Sequence, residues 1–133
     1  MSEIQHTPEI LNHFSKIIFD GAVSVHREMG PGLLESIYQE CLVRELQIRG
    51  LKVECMVQQQ LHYKGIVLSK RFCIDVLVEN SIILELKSVE GILTVHEAQL
   101  LSYLKLADLR LGFLINFNVG LLKDGFRRFV NKF

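Results

Sequence analysis

Three charged residues interrupt two hydrophobic segments that are otherwise typical of buried strands. Asp75 lies within the apolar run of residues 72–78, and Glu85 and Lys87 lie within residues 82–88. Charged groups among aliphatic neighbours are costly to desolvate, so their presence indicates chemistry or a specific partner. Glu85 and Lys87 are two residues apart, which places both side chains on one face of a strand.

The turn between these two strands predicts that the charges meet. Asn80-Ser81 fits a tight hairpin turn, and an antiparallel pair joined there brings Asp75 close to Glu85. Two adjacent carboxylates repel each other, and a divalent cation relieves that repulsion. Oxygen ligands suit a hard ion such as Mg²⁺ or Mn²⁺. The alternative is a salt bridge from Lys87 that fixes the strand register.

Further polar candidates lie on predicted helices. His96, Gln99 and Tyr103 are spaced to share one helix face, opposite a leucine-rich face. That polar face either contacts a substrate or is simply solvated. Glu35 lies in the first turn of another helix, where the macrodipole favours an acidic residue whatever its function.

Capping residues and helical spacing predict the helices that must position these groups. Thr7-Pro8 marks the start of a first helix, which Gly30 ends. A second helix begins near Leu33 and ends at Gly50. Thr94 with Glu97 three residues later matches a capping box, so a third helix is expected over residues 95–107. A short closing helix is expected over residues 124–133.

The strands follow from alternation and from buried apolar runs. The period changes to two after Gly50, and extended structure is expected from Val53 to a Lys64-Gly65 turn. Further strands are expected over residues 66–68, 72–79, 82–88 and 111–117. This order predicts an α/β fold, a mixed β-sheet flanked by helices, in which the strand after the third helix returns to the sheet.

Length and composition limit the class of protein. The 133 residues, 49% of them hydrophobic, predict one domain over 1–133. Fifteen Lys and Arg balance fifteen Asp and Glu, which argues against a protein that coats nucleic acid non-specifically. The three cysteines fit no metal knuckle. With no signal peptide and no long apolar run, we expect a soluble cytoplasmic protein without membrane contact.

Several motifs, taken in order along the chain, resemble one family. The sequence is similar to the family named for its Gly-x-x-Glu-x-x-Tyr motif, which is grouped with the PD-(D/E)XK nuclease superfamily. The likeness covers nearly the whole chain, and the stretches that carry it are Gly32 to Tyr38, Asp75, Glu85-Leu86-Lys87, His96 to Tyr103, Gly112 to Phe117 and Leu122 to Gly125.

The resemblance implies a restriction-endonuclease-like core and a role for each candidate residue. Asp75 and Glu85 look like acidic metal ligands, and Glu35 looks like the additional carboxylate that completes a Mg²⁺ or Mn²⁺ site. Lys87 looks like the lysine that positions the attacking water and offsets charge on the phosphate. Gln99 and Tyr103 resemble a Gln-x-x-x-Tyr motif that contacts substrate, and His96 lies on the same face.

Two functional hypotheses from different classes follow. The first is a metal-dependent nuclease that hydrolyses phosphodiester bonds of DNA or RNA, with Asp75, Glu85 and Lys87 as catalytic residues. A homodimer is then expected, since two sites are needed to cut both strands of a duplex. The second is a catalytically silent nucleic-acid-binding or assembly module on the same fold, which the neutral net charge and the lack of a long basic arm favour.

Overall fold

The computed structural model describes residues 6–133 as a five-stranded sheet with helices on both faces. None of the helices in this range is long and apolar enough to span a bilayer. In chain order the elements are α1 (Pro8–Met29), α2 (Glu35–Ile48), β1 (Val53–Tyr63), β2 (Ile66–Val78), β3 (Ile82–Lys87), α3 (Thr94–Ala107), β4 (Leu111–Asn116), a 3-10 turn (Leu122–Gly125) and β5 (Phe126–Val130).

The sheet is mixed, as the sequence predicts. The strand order is β1-β2-β3-β4-β5, and only β3 and β4 run parallel. Between them the chain crosses over through α3, because parallel neighbours need a long connection. All six residues of β4 are buried, which agrees with their continuous apolar sequence.

Two hydrophobic clusters cover the two faces of the sheet. On one face α1 and α2 pack against alternate residues of β3 such as Leu84 and Leu86. On the other face α3 packs against Ile83 through Leu100 and Leu104. Ile83, Glu85 and Lys87 alternate with Leu84 and Leu86, so the sheet face beneath α3 is also the face toward which the two charged side chains of β3 project.

Gly112 allows α3 to lie close to the sheet. A Cβ atom at Gly112 would lie 3.1 Å from Leu100 Cδ1 and 3.2 Å from the Ile83 carbonyl oxygen. We expect Gly112→Val to lower the free energy of unfolding by about 1–3 kcal/mol, because the extra methyls overpack this contact. Urea denaturation measures the loss. Gly91→Ala, where the added Cβ meets nothing within 4 Å, is the matched control and should stay within about 0.5 kcal/mol of wild type.

The structure corrects the prediction for the C-terminal segment. The closing helix expected over residues 124–133 is wrong: Leu122–Gly125 forms a 3-10 turn, and Phe126–Val130 is strand β5, antiparallel to β4. The apolar residues at 126, 129 and 130 match helical spacing, but so short a segment cannot separate the two periods. The open edge of β4 favours a strand over a helix for residues 126–130, because β5 provides hydrogen-bond partners for the backbone of β4.

The strands of the hairpin are longer than predicted. The segments expected over residues 66–68 and 72–79 are one continuous strand, β2, which pairs with β1 from Val53↔Val78 to Tyr63↔Ile66. Elsewhere in the chain, the helix expected over residues 95–107 is α3, and it begins at Thr94, one residue earlier than expected. The polar residues that interrupt β2 broke the alternation in the sequence, and the ladder is irregular at the same place: Gln60 pairs with Arg71 and His62 with Val67, so residues 68–70 oppose Leu61 alone.

Candidate metal centre

The site lies where β2 and β3 diverge. Their ladder covers only three pairs and ends at Val76↔Leu84, so Asp75 and Glu85 are the next residues in register but are no longer paired through the backbone. Instead, Asp75 Oδ2 accepts a hydrogen bond of 3.0 Å from the Leu86 N–H. The divergence therefore turns the Asp75 carboxylate toward β3, beside Glu85.

Glu85 is a buried carboxylate with an unsatisfied oxygen. Its side chain is almost fully enclosed, with 4% of the residue exposed, and within the described part of the chain Oε1 has no hydrogen-bond partner. Burial first and the neighbouring Asp75 carboxylate second raise the pKa of Glu85 to about 8, while Lys87 opposes this shift. A buried acceptor without a partner is rare and calls for a physical cause such as a bound ion. A cation between Asp75 and Glu85 would meet that need.

Lys87 lies close to these carboxylates without bonding to them. It is half-buried and follows Glu85 on the same face of β3. Within residues 6–133 it makes no ion pair of 4.0 Å or less, whereas Lys16, Arg49 and Arg127 do. The salt bridge that would fix the strand register is therefore not formed, and the Lys87 ammonium is free to contact another anion.

Glu35 approaches the same region from α2. Its Oε2 accepts a hydrogen bond of 3.2 Å from the Ser88 N–H, just after β3. Glu35 and Asp75 line one cleft of about 670 Å³, together with Gln39 and Ser88. Gln39 Nε2 also donates to the Asp75 carbonyl at 3.4 Å, which ties α2 to this point of β2.

The donor set fits a hard cation that keeps part of its water shell. Across residues 6–133, no three Asp, Glu, His or Cys side chains are arranged closely enough to hold an ion by themselves. The structure thus brings Asp75 and Glu85 together, and Glu35 shares with Asp75 a cleft whose lining includes neither Glu85 nor Lys87. Mg²⁺ is commonly bound by one or two carboxylates, with waters and substrate oxygens as its other ligands.

Tyr38 fixes the loop that precedes Glu35. Its hydroxyl donates to the Gly30 carbonyl and accepts a hydrogen bond of 3.1 Å from the Leu33 N–H. The ring stacks on Phe117 at a centroid distance of 4.4 Å. The loop turns at Gly32 with φ of +88°, a conformation that favours glycine. The glycine and the tyrosine of the motif thus shape the loop, and the glutamate between them faces the cleft.

Removing the Tyr38 hydroxyl tests this structural role. We expect Tyr38→Phe to lower the free energy of unfolding by about 1–3 kcal/mol, because the buried loop groups lose their partner while the ring stacking is kept. Chemical denaturation measures the change. The control is Tyr63→Phe: Tyr63 is 61% exposed, and its substitution should change stability by less than about 0.5 kcal/mol. Equal stability of both variants would contradict this role.

The residues on α3 are divided between the centre and the helix cap. Tyr103 is half-buried and stacks on Phe72 at 4.3 Å. Burial first, then the negative charges of Glu85 and Asp75, raise the pKa of the Tyr103 hydroxyl, which places it near the carboxylates. Gln99 is exposed one turn earlier.

His96 has a capping role that the sequence did not predict. Its Nδ1 accepts a hydrogen bond of 3.0 Å from the Leu93 N–H, so His96 rather than Glu97 bonds back to the start of α3. The capping box expected from Thr94 and Glu97 is wrong, because Thr94 is already inside the helix. Glu97 instead pairs with Arg127 at 2.7 Å.

Two residues near the centre were not predicted from the sequence. Asn116 is 3% exposed; its Oδ1 accepts from the Val89 N–H at 3.1 Å and its Nδ2 donates to the Val89 carbonyl at 2.9 Å, which holds the loop after β3. An asparagine within an apolar strand was the available signal. Cys73 precedes Asp75 by two residues, and burial first, then Asp75 and Glu85, raise the pKa of its thiol.

The fold and the site define a class of protein, and a comparison of families gives the same result. A mixed sheet flanked by helices, with two carboxylates and a lysine where two strands diverge, is a restriction-endonuclease-like architecture. The family model of the PD-(D/E)XK nuclease superfamily matches residues 12–129, and the chain belongs to this superfamily. No match was found among curated proteins or among solved structures.

Proposed function

We propose that this protein is a Mg²⁺- or Mn²⁺-dependent phosphodiesterase that hydrolyses DNA or RNA, and that it belongs to the Gly-x-x-Glu-x-x-Tyr branch of its superfamily. The observation that supports this most directly is the buried Glu85 carboxylate, which lies next to Asp75 and whose Oε1 has no hydrogen-bond partner among residues 6–133. A functional cation is the simplest ligand for that oxygen.

The sequence pattern supports the same assignment. The residues in the superfamily name, PD-(D/E)XK, match Ile74-Asp75 and Glu85-Leu86-Lys87 in this chain, except that isoleucine stands where the pattern has proline. At this position Ile74 is paired with Val57 in the β1–β2 ladder and its side chain is buried. An isoleucine can therefore replace the proline without disturbing the carboxylate that follows.

Asp75, Glu85 and Glu35 are the residues that would hold the metal. The ion, when bound, polarises a phosphate oxygen and lowers the pKa of water. The Leu86 N–H fixes the orientation of the Asp75 carboxylate, and the Ser88 N–H does the same for Glu35. Both carboxylates are thus oriented before any ligand arrives.

Lys87 is the residue we assign to charge stabilisation. Its ammonium lies beside Glu85 and has no anionic partner within 4.0 Å among the described residues. A phosphate bound beside the Asp75–Glu85 pair would supply that partner, and the interaction would strengthen as negative charge builds up during attack. Lys87 also helps to orient the attacking water.

The α3 residues would contact the rest of the substrate. Tyr103 presents its hydroxyl near the carboxylates, and Gln99 is exposed one turn away on the same helix face. His96 uses Nδ1 in the helix cap, which fixes its ring and leaves Nε2 available for a phosphate or sugar oxygen. These three residues therefore orient substrate rather than perform the bond cleavage.

Metal titration and a cleavage assay test the proposal together. We expect calorimetry to detect Mg²⁺ or Mn²⁺ binding at millimolar concentrations, and we expect wild type to nick labelled single- or double-stranded nucleic acid. Asp75→Asn keeps the shape of the side chain but removes its charge, so it should abolish both signals. Weak cleavage of equal size in wild type and Asp75→Asn would indicate a contaminant and contradict the proposal. Nucleic-acid binding without metal binding would instead identify a silent binding module.

A further inference from the structure

The β1–β2 hairpin extends well beyond the body of the protein. Residues 62–71, here named the distal hairpin, are all exposed and include the Lys64-Gly65 turn. β2 pairs with β3 only through Val76–Val78, so over the distal hairpin neither strand has another partner strand among residues 6–133. Residues 68–70 of β2 oppose Leu61 alone, so β1 limits the length of the ribbon: from Gln60, the partner of Arg71, to Lys64 is four residues, or about 13 Å at about 3.3 Å per residue.

The root of this ribbon is anchored at the proposed active site. Phe72 stacks on Tyr103, and Ile74 packs in the cluster beneath α3. Asp75 follows directly on the same strand. The distal hairpin therefore has a fixed starting point next to the carboxylates, and any ligand held along it lies beside them.

The distal hairpin carries positive charge without any carboxylate. Lys64, Lys70 and Arg71 are in this segment, and the sequence has no Asp or Glu between Glu54 and Asp75. The chain as a whole has a net charge of zero, so the segregation of charge is local. A basic ribbon beside an acidic centre matches a polyanion that runs along the ribbon and reaches the cation site.

Apolar and aromatic side chains are exposed on the same segment. Ile66 is 65% exposed, Tyr63 61% and Val67 51%, and Tyr63 pairs with Ile66 in the ladder. Lys64 Nζ lies 5.4 Å from the centre of the Tyr63 ring. Apolar side chains are usually buried in a protein core, but these have no core to pack against. In the groove of a nucleic acid, base edges and methyl groups would provide the apolar contacts that these side chains lack.

We propose that the distal hairpin is a nucleic-acid-binding arm that enters the major groove of duplex DNA next to the bond cleaved at the Asp75–Glu85 centre. The inference rests on the proposed nuclease function and names its substrate class. The major groove of B-DNA admits a two-stranded ribbon, and the basic side chains of the arm would contact the flanking phosphates. The deep, narrow major groove of duplex RNA does not admit it.

The test compares arm and control variants in a binding assay. The arm variant removes three positive charges from the distal hairpin: Lys64→Gln, Lys70→Gln and Arg71→Gln. The control variant removes three positive charges from equally exposed positions on α1 and α2: Lys16→Gln, Arg27→Gln and Arg44→Gln. Fluorescence anisotropy of a labelled 20-base-pair DNA duplex in metal-free buffer measures affinity without cleavage. Because all six residues are exposed, both variants should retain the wild-type melting temperature.

We expect the arm variant to bind about 30-fold more weakly at 100 mM salt, and its plot of log K against log salt to be shallower by about 2–3. The control variant should stay within about threefold of wild type. Equal affinity of the two variants would overturn the proposal. So would wild-type binding to duplex RNA of the same sequence that is as tight as binding to DNA.

Two further readouts distinguish a DNA-binding arm from a dimer contact and separate the arm from the nuclease function. If the arm were a contact between two copies of the chain, analytical ultracentrifugation would show a dimer that the arm variant loses while DNA affinity stays unchanged, which would overturn the proposal. If the arm variant loses binding but wild type never cleaves in Mg²⁺, the nuclease function fails and the arm stands. If wild type cleaves and the arm variant binds normally, the arm fails and the nuclease function stands.

Discussion

We expect Glu85→Gln to raise the melting temperature of the metal-free protein at pH 8. We also expect this variant to lose the stabilisation that Mg²⁺ gives to wild type. The folded-state pKa of Glu85 is raised to about 8 by burial and by Asp75. A raised pKa means that its contribution to stability is full below pH of about 4.5 and is lost as the pH rises through about 8. The neutral glutamine keeps the shape of the side chain and escapes this loss.

The size of the change in melting temperature also follows from the burial of Glu85. We expect a gain of about 5 °C in melting temperature at pH 8, and little difference between the two proteins at pH 4. In wild type, Mg²⁺ at ten times its dissociation constant should add about 1.4 kcal/mol to the free energy of unfolding. The variant should gain nothing, because the ion has lost a charged ligand.

Thermal melts at pH 4 and pH 8, with and without Mg²⁺, measure these effects. Glu40→Gln changes an exposed carboxylate on α2 and is the control, which should behave as wild type in all four conditions. A variant that is less stable than wild type at pH 8, or that Mg²⁺ stabilises as much as wild type, would show that Glu85 has a structural partner instead of a metal.

Lys87→Met lowers cleavage by about 10²–10³-fold while Mg²⁺ binding persists, and this is the second large effect. Lys87 is free of anionic partners within residues 6–133, so its charge is available to the phosphate in the transition state. Removal of the ammonium takes away no metal ligand. It also takes away a positive charge that repels the cation.

Single-turnover cleavage and calorimetry separate the two parts of this prediction. The rate constant should fall while the dissociation constant for Mg²⁺ changes by no more than about threefold. Lys16→Met, whose side chain is 79% exposed on α1, is the control and should cleave as wild type. A variant that loses metal binding together with activity would place Lys87 among the groups that build the site, and a variant with full activity would remove it from the mechanism.

The sequence predicted the centre of the site because the relevant signals are local. Asp75, Glu85 and Lys87 stood out against aliphatic neighbours, and a short turn was correctly expected to bring the two strands together, although the loop has three residues, Glu79 to Ser81, rather than the two expected at Asn80-Ser81. The mixed sheet followed from the order of elements, since a strand after a helix returns in parallel. The charges of the site lie within about a dozen residues, and the parallel return requires only the order of three consecutive elements, β3, α3 and β4.

The errors arose where long-range partners decide the structure. Residues 126–130 have spacing that fits a helix, but the open edge of β4 draws them into strand β5. At the start of α3, His96 bonds the Leu93 N–H, and Glu97 is held by Arg127 thirty residues later. No local pattern distinguishes these outcomes, because the competing interactions come from elsewhere in the fold.

The roles of two supporting residues, Tyr38 and Asn116, were missed for a related reason. Tyr38 bonds a loop that precedes it and stacks on Phe117, and Asn116 holds the loop after β3. The distal hairpin also emerged only from the structure, because Lys64, Lys70 and Arg71 are separate in the sequence and become one ribbon when β1 pairs with β2. Composition alone, with equal numbers of acids and bases, masks this local charge.

Anomalous diffraction from crystals of the protein soaked in Mn²⁺ addresses the central claim most directly. We expect one strong anomalous peak between the two diverging strands, within about 2.2 Å of Glu85 Oε1 and of an Asp75 oxygen. The matching soak of Glu85→Gln crystals should lack that peak. Mn²⁺ bound only elsewhere on wild type, or Asp75 and Glu85 turned away from each other without an ion, would contradict the account.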